Sequence, residues 1–388
     1  MAVRIGSGLS TQPDARVGAT DAAMVARAPL RGAAVDLAVV FASGAHLAAP
    51  EATLEGVHEA LAPRELIGCG AGGVVGGGRE IEGGTAVAVW AASFEDSGAV
   101  STFRAEASES EDGIEVEGMP DLPGARAAIL LPDPYSFPTD RVLRELNVRA
   151  PGVPVLGGIS SARTLDGSSA LFHGDELVDG GAVGARIEGI DVLPCVSQGA
   201  APVGPELTIT AAEGHVIQEL AGAPALTKLR DVVGELPAQD RELVAQGLLV
   251  GIVTDPGKPA YERGDFLVRG LLGADPDAGA IAVGASVTPG QVLRLHARDA
   301  ASADEDLREA LDLRMRALGG AQPAGALMFT CNGRGQEMFG IPDHDASTLS
   351  DGLSGAPAAG FFAAGEIGPV GGESFLHGFT ATVAIFPP

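Results

Sequence analysis

Cysteine is scarce in this chain: Cys69, Cys195 and Cys331 are the only three in 388 residues. Their number is odd and no two stand at a paired spacing, which excludes a disulfide framework and a zinc knuckle. Seven histidines are scattered without metal-ligand spacing, so neither a metal nor a cofactor is expected. Aromatics make up only 4% of the chain, so its apolar content must come mainly from alanine and valine. Basic residues are outnumbered, 25 against 51 acidic, giving a net charge of −26. Such a surface repels phosphate backbones and anionic membranes, which argues against nucleic-acid and membrane partners. No apolar run approaches the roughly 18–20 residues of a spanning helix. The opening Met1-Ala2-Val3-Arg4-Ile5-Gly6-Ser7 turns polar at once, unlike a signal peptide. A cytoplasmic location is the expectation.

Glycine and proline are abundant, 56 and 26 residues, and imply many turns between short elements. A chain of this length exceeds one ordinary core and predicts two domains, taken as residues 1–195 and 196–388.

One pattern occurs three times. The first copy has a strand at Asp36–Phe41, a helix at Ala49–Leu61 and a strand at Glu65–Cys69. The second has Ala127–Leu131, Pro138–Val148 and Val153–Leu156; the third has Ala326–Phe329, Asp343–Leu353 and Ala358–Ala363. A glycine-bearing turn and a further strand follow each: Ala86–Trp90, Gly181–Ile187 and Phe379–Ile385. The alternation in Thr380-Ala381-Thr382-Val383-Ala384-Ile385 favours strand over helix. The first two strands of each unit should be parallel through a right-handed crossover. The third should add antiparallel through a long hairpin. The expected fold class is mixed α/β, with strand–helix–strand–strand units building layered mixed sheets under outer helices.

A different, β-rich region lies between the second and third copies. Gln198–Pro205 reads as an inter-domain linker. A helix over Ala223–Val233 and strands at Leu207–Ala211, Leu248–Val253, Phe266–Arg269, Ala280–Val283 and Gln291–Ala297 follow. Ser302-Ala303-Asp304-Glu305 reads as a capping box opening a helix whose Leu307, Leu311, Met315 and Leu318 form a core stripe. The acidic run from Glu106 to Asp112 reads as a solvated loop.

Unlike chemistries concentrate near the C-terminus. Cys331-Asn332-Gly333-Arg334-Gly335 follows a strand, at the sheet edge where open α/β folds bind ligands. Gly333 and Gly335 let successive amides turn towards an anion. Arg334 can grip a carboxylate bidentately, and Glu366 can take the complementary cation, as an amino acid would require. The alternative is that Arg334 and Glu366 pair with each other. His377 either contacts the ligand or hydrogen-bonds backbone. Cys331 with His377, oriented by Glu366, also has the composition of a cysteine-dependent hydrolase or transferase, although family-specific cysteine-protease signatures are missing. His173 and His344 sit in turn-like surroundings and suggest nothing specific.

Three stretches resemble the FIST family, the F-box and intracellular signal transduction domain. They are Asp36–Phe41 with Leu66–Val74 and Gly78–Gly84; Gly264–Arg269 with Gly290–Asp299; and Cys331–Gly335 with Gly365–Pro369 and Leu376–Thr380. The resemblance implies an N-terminal and a C-terminal FIST domain and a sensory module for small ligands, with amino acids as the suggested class. In the family it stands alone, is fused to bacterial signalling domains, or follows F-box segments. It also brings Arg269 into the ligand-binding set with Cys331, Asn332, Gly333, Arg334, Gly335, Glu366 and His377. Output would pass to a signalling protein partner or a homo-oligomer. A scaffold that recruits a partner without any small ligand is a further alternative.

Overall fold

The computed structural model describes residues 3–95, 97–110, 113–261 and 264–388. Two compact units emerge, one of residues 1–196 with 307–388 and one of residues 197–306. The smaller unit begins at 197. That unit ends at 306, and the chain beyond it completes the larger one.

The larger unit is built from three topologically matching repeats. In the first, β1 (Arg4–Ser10) and α1 (Ala15–Arg27) precede β2 (Leu37–Ser43), α2 (Pro50–Leu61) and β3 (Glu65–Gly70). A short hairpin, β4 (Val74–Gly76) and β5 (Arg79–Ile81), leads to β6 (Ala86–Ser93). In the second, β7 (Ala99–Ser110) and β8 (Gly113–Glu117) precede β9 (Ala127–Pro132), α3 (Thr139–Arg149) and β10 (Val155–Gly158). The hairpin β11 (Leu171–His173) and β12 (Glu176–Val178) then leads to β13 (Ala182–Glu188). Strand β14 (Leu193–Ser197) opens the third repeat, which resumes after the smaller unit.

The smaller unit holds β15 (Ala200–Glu213), β16 (Val216–Leu220), β17 (Ala223–Pro224), α4 (Ala225–Glu235) and α5 (Ala238–Gln246). Strands β18 (Leu248–Val253), β19 (Phe266–Asp275), β20 (Ala280–Val283) and β21 (Val292–Arg298) complete it. The sheet order β15-β21-β18-β19-β20-β16 closes through a β15–β16 pairing, so the strands form a barrel with the Ile209–Val250–Leu295 layer inside. The expected linker at 198–205 is not one. Gln198 is buried, donates to the Phe266 carbonyl and accepts from Val268, and the chain from Ala200 is already strand.

Helix α6 (Ala300–Ala317) is capped by Asp299, whose Oδ2 accepts from Ser302 N at 3.1 Å, rather than by a box starting at Ser302. Leu307 and Leu311 of the expected stripe are core, with Met315 and Leu318 packed against them. The third repeat continues with β22 (Gly325–Cys331), the single turn α7 (Gln336–Phe339), α8 (His344–Gly352) and β23 (Ala358–Ala363). Its hairpin is β24 (Glu366–Val370) and β25 (Glu373–His377), and its last strand is β26 (Ala381–Phe386).

In all three repeats the helix-linked strands are parallel, as expected: β2 with β3, β9 with β10, β22 with β23. The later strand is antiparallel, but it joins the first strand of the pair and not the second: β6 on β2, β13 on β9, β26 on β22. The edge it leaves open is filled by another repeat's hairpin. β4–β5 pairs with β23, β11–β12 with β3, and β24–β25 with β10. Each repeat therefore extends a neighbour's sheet, in a closed cycle. Two glycines in the left-handed region, Gly77 and Gly78 at φ 58 and 72, give the first hairpin its two-residue turn.

Registers make the equivalence residue by residue. Gly68, Gly157 and Gly360 lie opposite Val40, Leu130 and Met328. A methyl group there would stand 2.1, 1.9 and 1.9 Å from those residues' carbonyl oxygens. Counting three residues on from Val40, Leu130 and Met328 makes Ser43, Asp133 and Cys331 equivalent, one at the end of each central strand. Alternate residues divide between two layers: Val39 and Phe41 face a core shared by the three sheets, whereas Ala38, Val40 and Ala42 face helices. Strands covered on both faces read as unbroken apolar runs, as these central strands do. The acidic segment 106–110 is not a loop: it is the end of β7, paired with the edge strand β8. Glu111 and Asp112 of that run lie outside the described residues.

Candidate functional site

Strand β22 ends at Cys331, and the chain turns back so that Arg334 N donates to the Cys331 carbonyl at 2.9 Å. Cys331 N donates to Thr380 O, and Asn332 N to Ala363 O, which brings the loop against the approaches to β24 and β26. The 331–335, 365–368 and 376–380 segments therefore converge. Asn332 and Gly333 are exposed, while Cys331, Arg334, Glu366 and His377 are buried directly beneath them.

Glu366 is fully buried. Its Oε2 accepts from Thr380 N at 3.0 Å and Thr380 Oγ1 at 2.8 Å. Its Oε1 has no hydrogen-bond partner among the described residues. Burial pushes this carboxyl up to about 8, against the opposing effects of Thr380, the Cys331 thiol and the nearby Arg334 charge. The neighbouring thiol of Cys331 receives the backbone amides of Gly333, at 3.4 Å, and of Phe379. Burial and the Glu366 charge nevertheless push it up to about 12. Phe379 stands at φ 66, a backbone region that costs a bulky side chain strain.

Arg334 is 2% exposed and forms a bidentate pair with Asp345, Nε to Oδ2 at 2.7 Å and Nη2 to Oδ1 at 2.8 Å. The ion-pair partner is thus Asp345 on α8, not Glu366. Thr330 Oγ1 and His344 Nδ1 also hydrogen-bond Asp345, at 2.7 and 3.0 Å. Despite the cost of burial, the Arg334 guanidinium holds the Asp345 carboxyl well below the usual range. The His344 ring stacks on Phe339 at 3.5 Å, and the Arg334 guanidinium lies 5.1 Å over the same ring. His344, read from sequence as unremarkable, is therefore part of this cluster.

Two carboxylates from the first repeat's hairpin close the loop from the other side. Glu82 Oε1 accepts from Gln336 N at 2.8 Å, and Glu80 Oε1 from Ala346 N at 2.9 Å. Burial and the Asp345 charge raise Glu80 to about 7. Neither Asp345 nor Glu80 stood out in the sequence. The only signal for Asp345 was its place in the first turn of the predicted helix, and Glu80 is contributed from 265 positions away.

His377 lies directly opposite Glu366 in the β24–β25 register, and its Nε2 donates to the Gly368 carbonyl at 2.9 Å. Arg269 belongs to the smaller unit, on β19, where Nη1 donates to the Val268 carbonyl at 3.1 Å. Arg263, a neighbour in the same sequence stretch, lies outside the described residues. Cys69 lies on β3, not in a glycine-rich turn, and is a buried core residue.

The larger unit is thus a tripled α/β body with a buried polar cluster beyond the end of β22. Residues 36–223 match the FIST N domain and residues 225–369 the FIST C domain, so the chain belongs to the FIST family. An uncharacterized protein of Mycobacterium tuberculosis strain H37Rv is 45% identical over 385 residues, covering 99% of this chain and all of the relative. An uncharacterized protein of Mycobacterium bovis is 44% identical, covering 99% of each chain. FIST domains are associated with signal transduction and small-ligand sensing. No helix of the described residues is long and apolar enough to cross a membrane.

Proposed function

We propose that this protein is a cytoplasmic sensor whose ligand is an amino acid or a related small carboxylate, held at Glu366 beneath the 332–335 loop. The observation that carries this reading is Glu366 itself. Its register position, opposite Gly158, corresponds to Val74 opposite Phe361 and Leu171 opposite Cys69. The fold fills that position with apolar side chains in two repeats, and a buried carboxyl with a bare oxygen is costly unless something partners it. A ligand ammonium supplies that partner. Arg334, committed to Asp345, and the Asn332, Gly333 and Arg334 amides, which donate to Ala363 O, Cys331 Sγ and Cys331 O, serve to fix the loop that covers Glu366. Arg269 lies outside this reading of the site. Output passes to a signalling protein or through self-association.

A cysteine-dependent transferase would need a thiol shifted down, and the environment of Cys331 shifts it up. Thermal-shift measurements against amino acids, small carboxylates and small amines test the proposal. A ligand at about 100 times its Kd adds about 2.7 kcal/mol of stability. Glu366→Gln keeps an acceptor for Thr380 and should abolish the shift. A shift of unchanged size in that variant would remove Glu366 from the site.

A further inference from the structure

The geometry points to a second binding site, for a small monoanion with an apolar body such as a medium-chain carboxylate. A cleft of about 660 Å³ lies at the far end of the larger unit's strands, within the usual range for small-molecule sites. Its lining includes Arg126 and Pro154, just before β9 and β10, and Pro387, just after β26. Phe386 pairs with Gly325 at the start of β22, whereas Cys331 ends that strand. Six residue steps of extended chain, roughly 20 Å, separate the two ends. Pro369 of the lining lies three steps beyond Glu366 on β24, roughly 10 Å, so the two sites are separate and this one does not rest on the function proposed for the other.

The cleft has a charge unlike that of the chain. Acids outnumber bases two to one overall, yet here two arginines, Arg126 and Arg314, face a single carboxylate, Asp191. Arg314 Nε donates to the Pro194 carbonyl, which fixes the direction of its guanidinium. Its terminal nitrogens make no hydrogen bond or ion pair among the described residues. Arg126 reaches Asp191 only at 3.5 Å, with both side chains more than half exposed. Such a pair is weak in water, so an entering carboxylate can compete for the guanidinium. Leu193, Leu318 and Pro369 supply apolar wall, and the Gly371–Gly372 turn adds no side chain to the rim. A hydrocarbon body against that wall places its head group between the arginines.

Calorimetric titration of the full chain with octanoate, and in parallel with octan-1-ol, tests this. Octanoate is expected to bind one to one, and the alcohol at least about tenfold more weakly, because a hydrogen bond to a charged group exceeds a neutral one by that order. Arg314→Gln and Arg126→Gln should each weaken octanoate by about tenfold, and Glu366→Gln should leave it unchanged. Arg126 is 60% exposed, so its variant answers even if the Arg314 variant fails to fold. Equal binding of acid and alcohol, full binding in both arginine variants, or loss of binding in Glu366→Gln would each overturn the proposal.

Discussion

Glu366 and Leu171 are equivalent residues: each begins the hairpin that its repeat contributes to a neighbour's sheet, and each is buried. One is a carboxylic acid and the other a hydrocarbon. Since the same backbone position is satisfied by leucine, the acid is not there to make the fold.

Stability should fall as pH rises from mildly acidic to mildly alkaline. In the unfolded chain Glu80 and Glu366 lose their protons near 4.5, whereas the folded chain holds them to about 7 and about 8. Between those limits the native state binds more protons, so each group lowers stability by up to about 1.4 kcal/mol per pH unit. Asp345 acts in the opposite sense, contributing above its unfolded value of 3.8 and failing only in stronger acid. Calorimetric Tm should therefore peak at about pH 4 and decline to pH 8, with a flatter profile in Glu80→Gln/Glu366→Gln. A wild-type Tm that rises over that interval would contradict this.

Arg334→Ala strands the buried Asp345 charge and should cost about 3–5 kcal/mol in urea unfolding. Adding Asp345→Ala should recover part of the loss, a coupling that a double-mutant cycle measures. Additive losses would mean that the pair contributes nothing specific.

Gly68→Ala, Gly157→Ala and Gly360→Ala should all be severe, each above about 3 kcal/mol, because each new methyl meets a carbonyl of the paired strand. Gly72→Ala is the control. Its nearest neighbour would be 3.8 Å away, and its effect should stay within about 0.5 kcal/mol. Gly157, at φ 153, adds backbone strain and should cost the most; a mild effect at any of the three would break the equivalence of the repeats.

All three cysteines are buried, and the raised Cys331 thiol should resist alkylation at pH 7.5. An aromatic disulfide reagent should titrate no fast thiol in native protein and three after denaturation. A rapid native thiol lost in Cys331→Ser would reopen the transferase reading.

The sequence made the repeats legible because both-face burial writes each central strand as an unbroken apolar run, as in Leu37–Phe41 or Ala326–Phe329. It could not show that β6 leaves β3 to join β2, since the edge it vacates is filled by a hairpin more than ninety residues away. The Cys331–Gly335 loop is conspicuous by composition, but Glu366 lies at the start of strand β24, where the glycines of 365–368 had suggested a turn. Asp345 and Glu80 did not stand out, because an acid at a helix start or in a short hairpin looks like an ordinary surface residue. Alanine-rich α1 also escaped notice, although Asp14 caps it by accepting from Val17 N.

The cycle of hairpins has a consequence for biosynthesis. Residues 74–76 leave the ribosome long before residues 359–361, the segment they must pair with. The first repeat therefore waits, one strand pair exposed, through synthesis of almost the entire polypeptide. Closure is the last event open to the nascent chain, and a message truncated before codon 358 yields a product whose opening segment has nowhere to dock.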